Sequence, residues 1–470
     1  MSAATPSWVS TLKKFNGRHR GSATCVPNTE QEVLKHMRKL YKEDTKASRE
    51  PHTDASRAAA AAAQASYAVI PRFFVPKRKH ESKFRATIHK EGKALYLQKK
   101  AEQLLDEKEL NSLWELMADY GDLSGMSAKI NYDHFCQIEN AATERCKAYL
   151  TTATFLKLPR DEFGRISATA LFTYISKTVN ARRIRIALTC YDEIGDGFLR
   201  EQDLENFVFE QIPQLPRLGT LESDFYPYYV FTAVRKFVFF LDPNKTGKIR
   251  IRDIINSPIM EEFNRLRANP RDVAPDPSST KAQWFSADSA LEIYSMYLNL
   301  DQDKNGMLNK EEFKRYNDNS LTQVVVDRLF QEYRLYQSEK TGDLEMDYKT
   351  FLDFVLAMRH KNTRQGIEYF WRILDMEGQG YLTTFHLNYF FRAVTEKMVS
   401  LGHEPCDVAD VVNEIFDMVS PAHPHNITPQ DLIRSKCAST VISILTDVTG
   451  FWKYDNRAHL PSDDIDQDMQ

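Results

Sequence analysis

Between Asp301 and Glu312 the chain reads Asp-Gln-Asp-Lys-Asn-Gly-Met-Leu-Asn-Lys-Glu-Glu, with oxygen-bearing side chains at alternate positions. A hard divalent cation takes six to eight oxygen ligands, and this order can supply them. Asp301, Asp303 and Asn305 offer side-chain oxygens from the incoming turn. Gly306 permits the sharp backbone bend, and Met307 offers its carbonyl, so its side chain is irrelevant. Asn309 can hold a bridging water, and Glu312 closes the site with two oxygens from the first turn of a following helix. The cation that suits this ligand set is calcium. Other chemistry is scarce. There is no GxSxG, no HExxH and no GxxxxGK[ST], and Lys245-Thr246-Gly247-Lys248 lacks the upstream glycine and the Ser/Thr that cradle a phosphate. His423 and His425 flank Pro424 in a predicted loop and could bind a transition metal, but no cysteine or carboxylate lies close by.

The spacing is that of the helix–loop–helix EF-hand, and the same frame recurs with fewer ligands. Asp192 to Asp203 keeps Asp196, Gly197 and Leu199 but has Ile194 at position 3, Arg200 at 9 and the shorter Asp203 at 12. Asp242 to Asp253 keeps Asn244 and Gly247 but carries Lys248 and Arg250. Asp375 to His386 keeps Glu377, Gly380 and Leu382, with His386 where a bidentate glutamate belongs. Weaker copies pair an aliphatic residue at position 8 with an apolar one at 13: Ile166 with Leu171, Met346 with Phe351, Ile427 with Leu432, and Ile130 with Phe135. The Asp192 and Asp375 loops read either as weak or magnesium-filled sites or as scaffold turns that need no metal. Scaffold is favoured, because losing position 3 or 12 removes a charge or two oxygens. The short β-like stretch at position 8 leaves backbone groups that need a partner. The spacing therefore predicts pairing of Leu308 with Met346 and of Leu382 with Ile427, and it places Ile166 and Leu199 at a pair-like separation.

Helices must hold such loops, and from about Glu81 apolar residues recur at helical spacing, Leu95, Leu104, Leu105, Leu113, Trp114 and Leu116 among them. The Phe237–Phe240 string, just before an EF-like loop, reads as core for an entering helix rather than as a partner groove. The expected class is all-α: an elongated array of EF-hand and degenerate EF-hand-like helix–loop–helix units in two halves. The expected layout is a disordered basic tail (1–66, with the alanine tract Ala58 to Ala63), then a short basic and aromatic linker (67–84). A helical domain of degenerate units (85–268) and a Pro-containing linker (269–282) follow. A C-terminal EF-hand domain (283–455) carries the intact loop 301–312, and a disordered acidic tail (456–470) ends the chain.

The 470 residues carry 62 Lys+Arg against 65 Asp+Glu, a formal charge of −3. That total is a cancellation: residues 1–100 hold 21 basic and 8 acidic residues, a net of +13, and the remainder carries −16. An acidic helical adaptor with a separate cationic tether is not a nucleic-acid binder. Lys77, Arg78, Lys79 and His80 read as a nuclear-import patch, a contact for an acidic partner, or a solvated basic linker. No apolar run approaches the roughly 18 residues needed to span a bilayer, so no membrane association is expected. Residues 1–20 lack the apolar region of a secretory signal. The six cysteines form no CxxC pair, which suits the reducing cytoplasm.

Several aromatic-rich strings carry a resemblance. They are Ile70-Pro71-Arg72-Phe73, Arg235-Lys236-Phe237-Val238-Phe239-Phe240-Leu241-Asp242-Pro243 and Trp284-Phe285-Ser286. More specific are Met346 to Ala357, Asn388-Tyr389-Phe390-Phe391-Arg392-Ala393 and Glu414-Ile415-Phe416-Asp417-Met418-Val419. From about Phe84 to Arg457 the chain resembles the B-double-prime regulatory subunits of protein phosphatase 2A, in particular the gamma branch that includes the plant FASS/TONNEAU proteins. The resemblance implies a non-catalytic subunit whose EF-hand body docks on the HEAT-repeat scaffold subunit and touches the catalytic subunit, selecting substrates and location. It also implies centrosomal, spindle and cortical-microtubule partners, and hence a cytoplasmic, cytoskeletal and centrosomal place, with the nucleus as a further one. The calcium ligands carry over to Asp301, Asp303, Asn305, Met307 and Glu312. Larger members have a richer ligand set at the hand corresponding to Asp375, where this chain has Gln379 and His386. The alternative is a stand-alone EF-hand calcium sensor or buffer. Sensors commonly work with paired sites, so one complete loop among incomplete ones favours the scaffold role. A calcium-regulated enzyme comes last, because no catalytic constellation is present.

Overall fold

The computed structural model describes residues 83–120, 128–267, 283–333, 335–337 and 342–457. The segments read as tails and linkers, 1–66, 67–84, 269–282 and 456–470, lie outside these residues apart from their ends at 83–84 and 456–457. Helices dominate, and the strands are short and pair two by two, as the all-α expectation requires. No helix among the described residues is long and apolar enough to cross a membrane.

The described residues form two compact units, divided between Gly197 and Phe198. In the first, helices α1 (Lys83–Glu102), α2 (Glu107–Asp119), α3 (Tyr132–Ala141), α4 (Glu144–Lys147), α5 (Thr152–Lys157) and α6 (Ala168–Tyr191) accompany strands β1 (Lys129–Ile130) and β2 (Ile166–Ser167). The core joins Leu113, Met117, Phe135, Ile138, Phe155, Leu171 and Ile175. A smaller cluster, Leu97, Ala101, Leu104 and Ile186, holds α1 against α6. Strand β1 pairs antiparallel with β2, Ile130 opposite Ile166. Ile166 therefore does not pair with Leu199, contrary to the spacing argument.

The second unit contains α7 (Glu201–Gln211), α8 (Tyr226–Leu241), α9 (Ile251–Asn256), α10 (Pro258–Asn264), α11 (Ala287–Leu300), α12 (Lys310–Phe313) and α13 (Gln323–Glu332). It continues with α14 (Tyr348–Arg359), α15 (Arg364–Leu374), α16 (Thr384–Ser400), α17 (Val408–Val419), α18 (Pro429–Ser435), α19 (Ala438–Thr446) and α20 (Val448–Asp455). Strand β3 (Phe198–Arg200) pairs with β4 (Lys248–Arg250), placing Leu199 opposite Ile249. Strand β5 (Tyr336–Gln337) pairs with β6 (Leu344–Glu345). Beyond β6 the Leu308–Met346 bridge forms, and Leu382 bridges Ile427, both as the spacing predicts.

A common local device starts the helix after five of the paired position-8 residues, but not after Leu199, Ile249 or Leu382. In these hands the residue following position 8 is an N-cap whose side chain accepts from the backbone N–H three residues on: Asn131 from His134, Ser167 from Ala170, Asn309 from Glu312, Asp347 from Thr350 and Thr428 from Asp431. Such a cap is worth about 1 kcal/mol and satisfies a donor the helix cannot.

The unit boundary corrects the expected division at 269–282. Helix α8 packs on α11 and α14, so residues on both sides of that Pro-containing segment share one core. Phe237, Phe263 and Phe285 are fully buried and meet with ring centroids 5.3–6.0 Å apart. Burying each contributes about 1.5–3 kcal/mol. Phe237 is thus core, as the entering-helix reading requires. Trp284 donates its indole N–H to the Thr232 carbonyl at 2.8 Å, and Tyr229 its hydroxyl to Phe285 O at 2.8 Å. Arg235 grips the Asp353 carboxylate at 2.5–2.9 Å, and Lys349 reaches Glu201 and Glu205 at 3.0 and 2.7 Å. A composition break marks a connection, but these contacts decide which helices fold together.

Candidate metal centre

Helix α11 delivers Asp301 as its C-cap, and α12 begins at the Asn309 cap with Glu312 in its first turn. Between them the backbone turns through left-handed conformations at Lys304 (φ 56°) and Gly306 (φ 80°). Gly306 is the position where a side chain would be strained. Its carbonyl accepts from the Tyr297 hydroxyl at 2.8 Å, tying the turn back to α11.

The carboxylates are held by backbone N–H groups. Asp301 accepts from Asn305 N at 3.2 Å and Gly306 N at 2.9 Å. One oxygen of Glu312 accepts from Gln302 N at 2.9 Å and Asp303 N at 3.3 Å, and the other from Asn309 N at 3.0 Å. Asn309 in turn spends its side-chain oxygen on the Glu312 N–H at 3.0 Å. Asn305 links Asp303, through its amide at 3.0 Å, to Glu345 of the neighbouring hand at 3.4 Å. The result brings Asp301, Asp303 and Glu312 together, with one oxygen from each inside 4.8 Å. Among the described residues no other cluster of three His, Cys, Asp or Glu reaches this closeness.

Gathering three carboxylates, two of them buried, is costly. Burial pushes the Asp301 carboxyl up, against the N–H groups of Gly306 and Asn305, and the Glu312 charge adds to the rise. A divalent cation offsets that repulsion. The donor set is all oxygen and fits calcium: side chains of Asp301, Asp303 and Asn305, the Met307 carbonyl, and both oxygens of Glu312. Bound there, the ion would supply a fixed positive centre that stiffens the turn.

The other frames keep the turn and lose the cluster. Asp192 accepts from Gly195 N at 2.7 Å and Gly197 N at 3.0 Å, and Lys93 stands 3.6 Å away. Asp242 accepts from Thr246 N at 2.8 Å and Gly247 N at 2.7 Å. Asp375 accepts from Gln379 N at 3.0 Å and Gly380 N at 2.7 Å. His386 takes the place of Glu312, its Nδ1 3.2 Å from Thr383 N, while its buried Nε2 has no partner. In the hand around Ile166, Asp161 lies 3.0 Å from both Lys129 and Arg165. The Arg165 backbone N–H, with these cations, holds that carboxyl well below the usual range. His423 and His425 are not gathered with other metal-binding side chains. The hydroxyl of Tyr297, the link to Glu345 and the cations beside the incomplete loops have no local sequence signature.

No protein-family model matches the chain. A chain of a solved PP2A PR70 holoenzyme structure is similar at 24% identity and a TM-score of 0.46, covering 55% of this chain and 93% of that one. The B'' subunit gamma of Homo sapiens, a serine/threonine-protein phosphatase 2A regulatory subunit, is 45% identical over 401 residues, 85% of this chain and 86% of the relative. The Danio rerio protein of the same name is 45% identical over 404 residues, with the same coverage. The probable B'' subunit TON2 of Arabidopsis thaliana is 33% identical over 466 residues, 97% of this chain and 93% of the relative. At these identities, over nearly the whole length of both partners, the chain belongs to the B'' family of protein phosphatase 2A regulatory subunits.

Proposed function

We propose that the chain is a non-catalytic regulatory and targeting subunit of the protein phosphatase 2A holoenzyme, carrying one calcium ion in the 301–312 loop. The observation that carries the reading is 45% identity over 85% of the chain to the B'' gamma protein. Asp301, Asp303, Asn305, Met307 and Glu312 are its ligands. The gathered carboxylates support calcium, and the incomplete loops, whose turns close without an ion, support a scaffold in which most hands are structural. Scaffold and catalytic subunits are the direct partners, and dephosphorylation is directed to centrosomal and microtubule structures in the cytoplasm. That last element rests on the likeness to TON2 and the gamma branch.

Affinity purification of the full chain at mild salt tests the reading. Recovery of the phosphatase scaffold and catalytic chains is the expected result. Calcium binding with no phosphatase chain recovered would favour the stand-alone sensor or buffer. Light microscopy of the tagged chain tests the location separately, and exclusion from centrosomes and microtubule arrays would remove that element alone.

A further inference from the structure

Where α8 runs into the loop that follows it, against Tyr333 and α15, the second unit has a cavity of about 60 Å³ with charged walls. Three carboxylates line it, and each is already engaged. Asp242 accepts from the N–H groups of Thr246 and Gly247, and from the Thr246 hydroxyl at 2.9 Å. Asp353 is gripped by Arg235. Glu368 accepts from Arg364 Nε at 2.8 Å.

Three groups in the same walls are left over. Among the described residues neither Lys245 nor Arg372 makes a salt bridge to a carboxylate, although the Asp353 charge, already held by Arg235, also attracts Lys245. The Lys245 ammonium rests 4.9 Å from the centroid of the Tyr333 ring, and its N–H groups remain free to donate. Burial of its inner side and the nearby Arg372 charge lower the pKa of this ammonium, with Asp353 partly opposing them. The third is the Tyr369 hydroxyl: the residue is only 6% exposed, and the hydroxyl has no hydrogen-bond partner. Its ring is stacked on Tyr333 at 4.3 Å, and Tyr333 donates its own hydroxyl to the Tyr369 carbonyl at 2.7 Å. Burial keeps the Tyr369 hydroxyl protonated, and therefore a donor, far above neutral pH.

The unpaired buried hydroxyl is unfavourable, and the two exposed cations beside it are free to take up negative charge, so one kind of ligand suits all three groups. It must bring several acceptor oxygens and more than one negative charge. A carboxylate has two oxygens and one charge. A phosphate monoester has three acceptor oxygens and close to two charges at neutral pH. We propose that the cavity bounded by Lys245, Tyr369 and Arg372 binds a phosphoryl group, either as free phosphate or on a side chain of a partner protein. This goes beyond the regulatory reading and does not depend on it.

The test is calorimetry on the full chain in calcium-free, low-salt buffer. The probes are inorganic phosphate and a phosphoserine peptide, with the unphosphorylated peptide as control. One saturable equivalent is expected. Lys245→Gln and Arg372→Gln, both at exposed side chains, should each weaken it about tenfold or more. Tyr369→Phe should weaken it less and should raise the thermal unfolding midpoint of the ligand-free protein, because the unpaired hydroxyl is gone. Tighter binding of the phosphopeptide assigns the group to a partner, and tighter binding of inorganic phosphate assigns it to the free ion. Absence of saturation below about 20 mM with either probe would overturn the proposal. So would equal affinity in all variants, or a lowered midpoint for Tyr369→Phe.

Discussion

The loops Asp301–Glu312 and Asp375–His386 lie in one unit and follow the same backbone path. Gly306 and Gly380 have φ of 80° and 79°. In each, the first aspartate accepts from the N–H groups four and five residues on. In each, the position-8 residue exchanges two hydrogen bonds of 2.8 Å with its partner hand. The difference lies at position 12. Both residues accept from the N–H of the helix cap, Glu312 from Asn309 and His386 from Thr383. Glu312 reaches across the loop with its second oxygen, to the N–H groups of Gln302 and Asp303 and beside the Asp301 and Asp303 carboxylates, whereas His386 has a buried nitrogen without a partner. The turn is thus built by the aspartate and the glycine, and the proposed cation binding is a separate property that depends on position 12.

The largest test removes two of the proposed ligands at once, the turn-making Asp301 among them, and keeps the glycine. Asp301→Ala with Glu312→Ala should abolish stoichiometric calcium binding in calorimetry. It should also remove the stabilisation of about 2.7 kcal/mol expected when calcium stands at a hundred times its dissociation constant. One equivalent retained would place the ion in another loop. The reverse change, His386→Glu, should add a second, weaker equivalent, because Asp375, Glu377 and Gln379 already stand at the first three ligand positions. An affinity of about 10⁻⁵ to 10⁻³ M suits so poorly charged a loop. If no second equivalent appears, position 12 is not the decisive difference.

Smaller effects compare the hands as scaffold. Leu308 and Leu382 are both fully buried. Each Leu→Ala change should cost about 2–5 kcal/mol in denaturant unfolding without calcium. A much smaller cost for Leu308→Ala would mean that its loop relies on the ion to pack. His360 joins the two hand pairs, between α14 and α15, with its ring 5.1 Å from Phe240. Burial, with Lys236 and Arg359 nearby, lowers its pKa from 6.5 to about 4. The unfolded state therefore binds more protons between these values. Stability from this group is complete above about pH 6.5 and is lost as pH falls towards 4, by about 3 kcal/mol at most. Unfolding midpoints across that range should flatten in His360→Gln. An unchanged profile would assign the acid sensitivity to other groups.

The gathering of Asp301, Asp303 and Glu312 was legible because all three lie within twelve consecutive residues, so spacing alone carries the geometry. The Leu308–Met346 and Leu382–Ile427 bridges were legible for a similar reason. The Ile130–Ile166 pairing was not, because apolar pairs five residues apart recur by chance in any helical chain. The unit boundary was misplaced because Arg235 and Asp353, partners in the fold, lie far apart along the chain. The cavity around Lys245, Tyr369 and Arg372 left no trace, since each is an ordinary residue until tertiary packing decides which charges stay unpaired.

The aspartate that caps each turn has an evolutionary consequence. Because N–H donors already satisfy it, a hand can lose its ion without losing its fold or its pairing. Substitutions at two positions then switch metal dependence on or off while the binding surfaces stay in place. With calcium in the 301–312 loop as proposed, a lineage could retune how many ions it needs without rebuilding the paired hands.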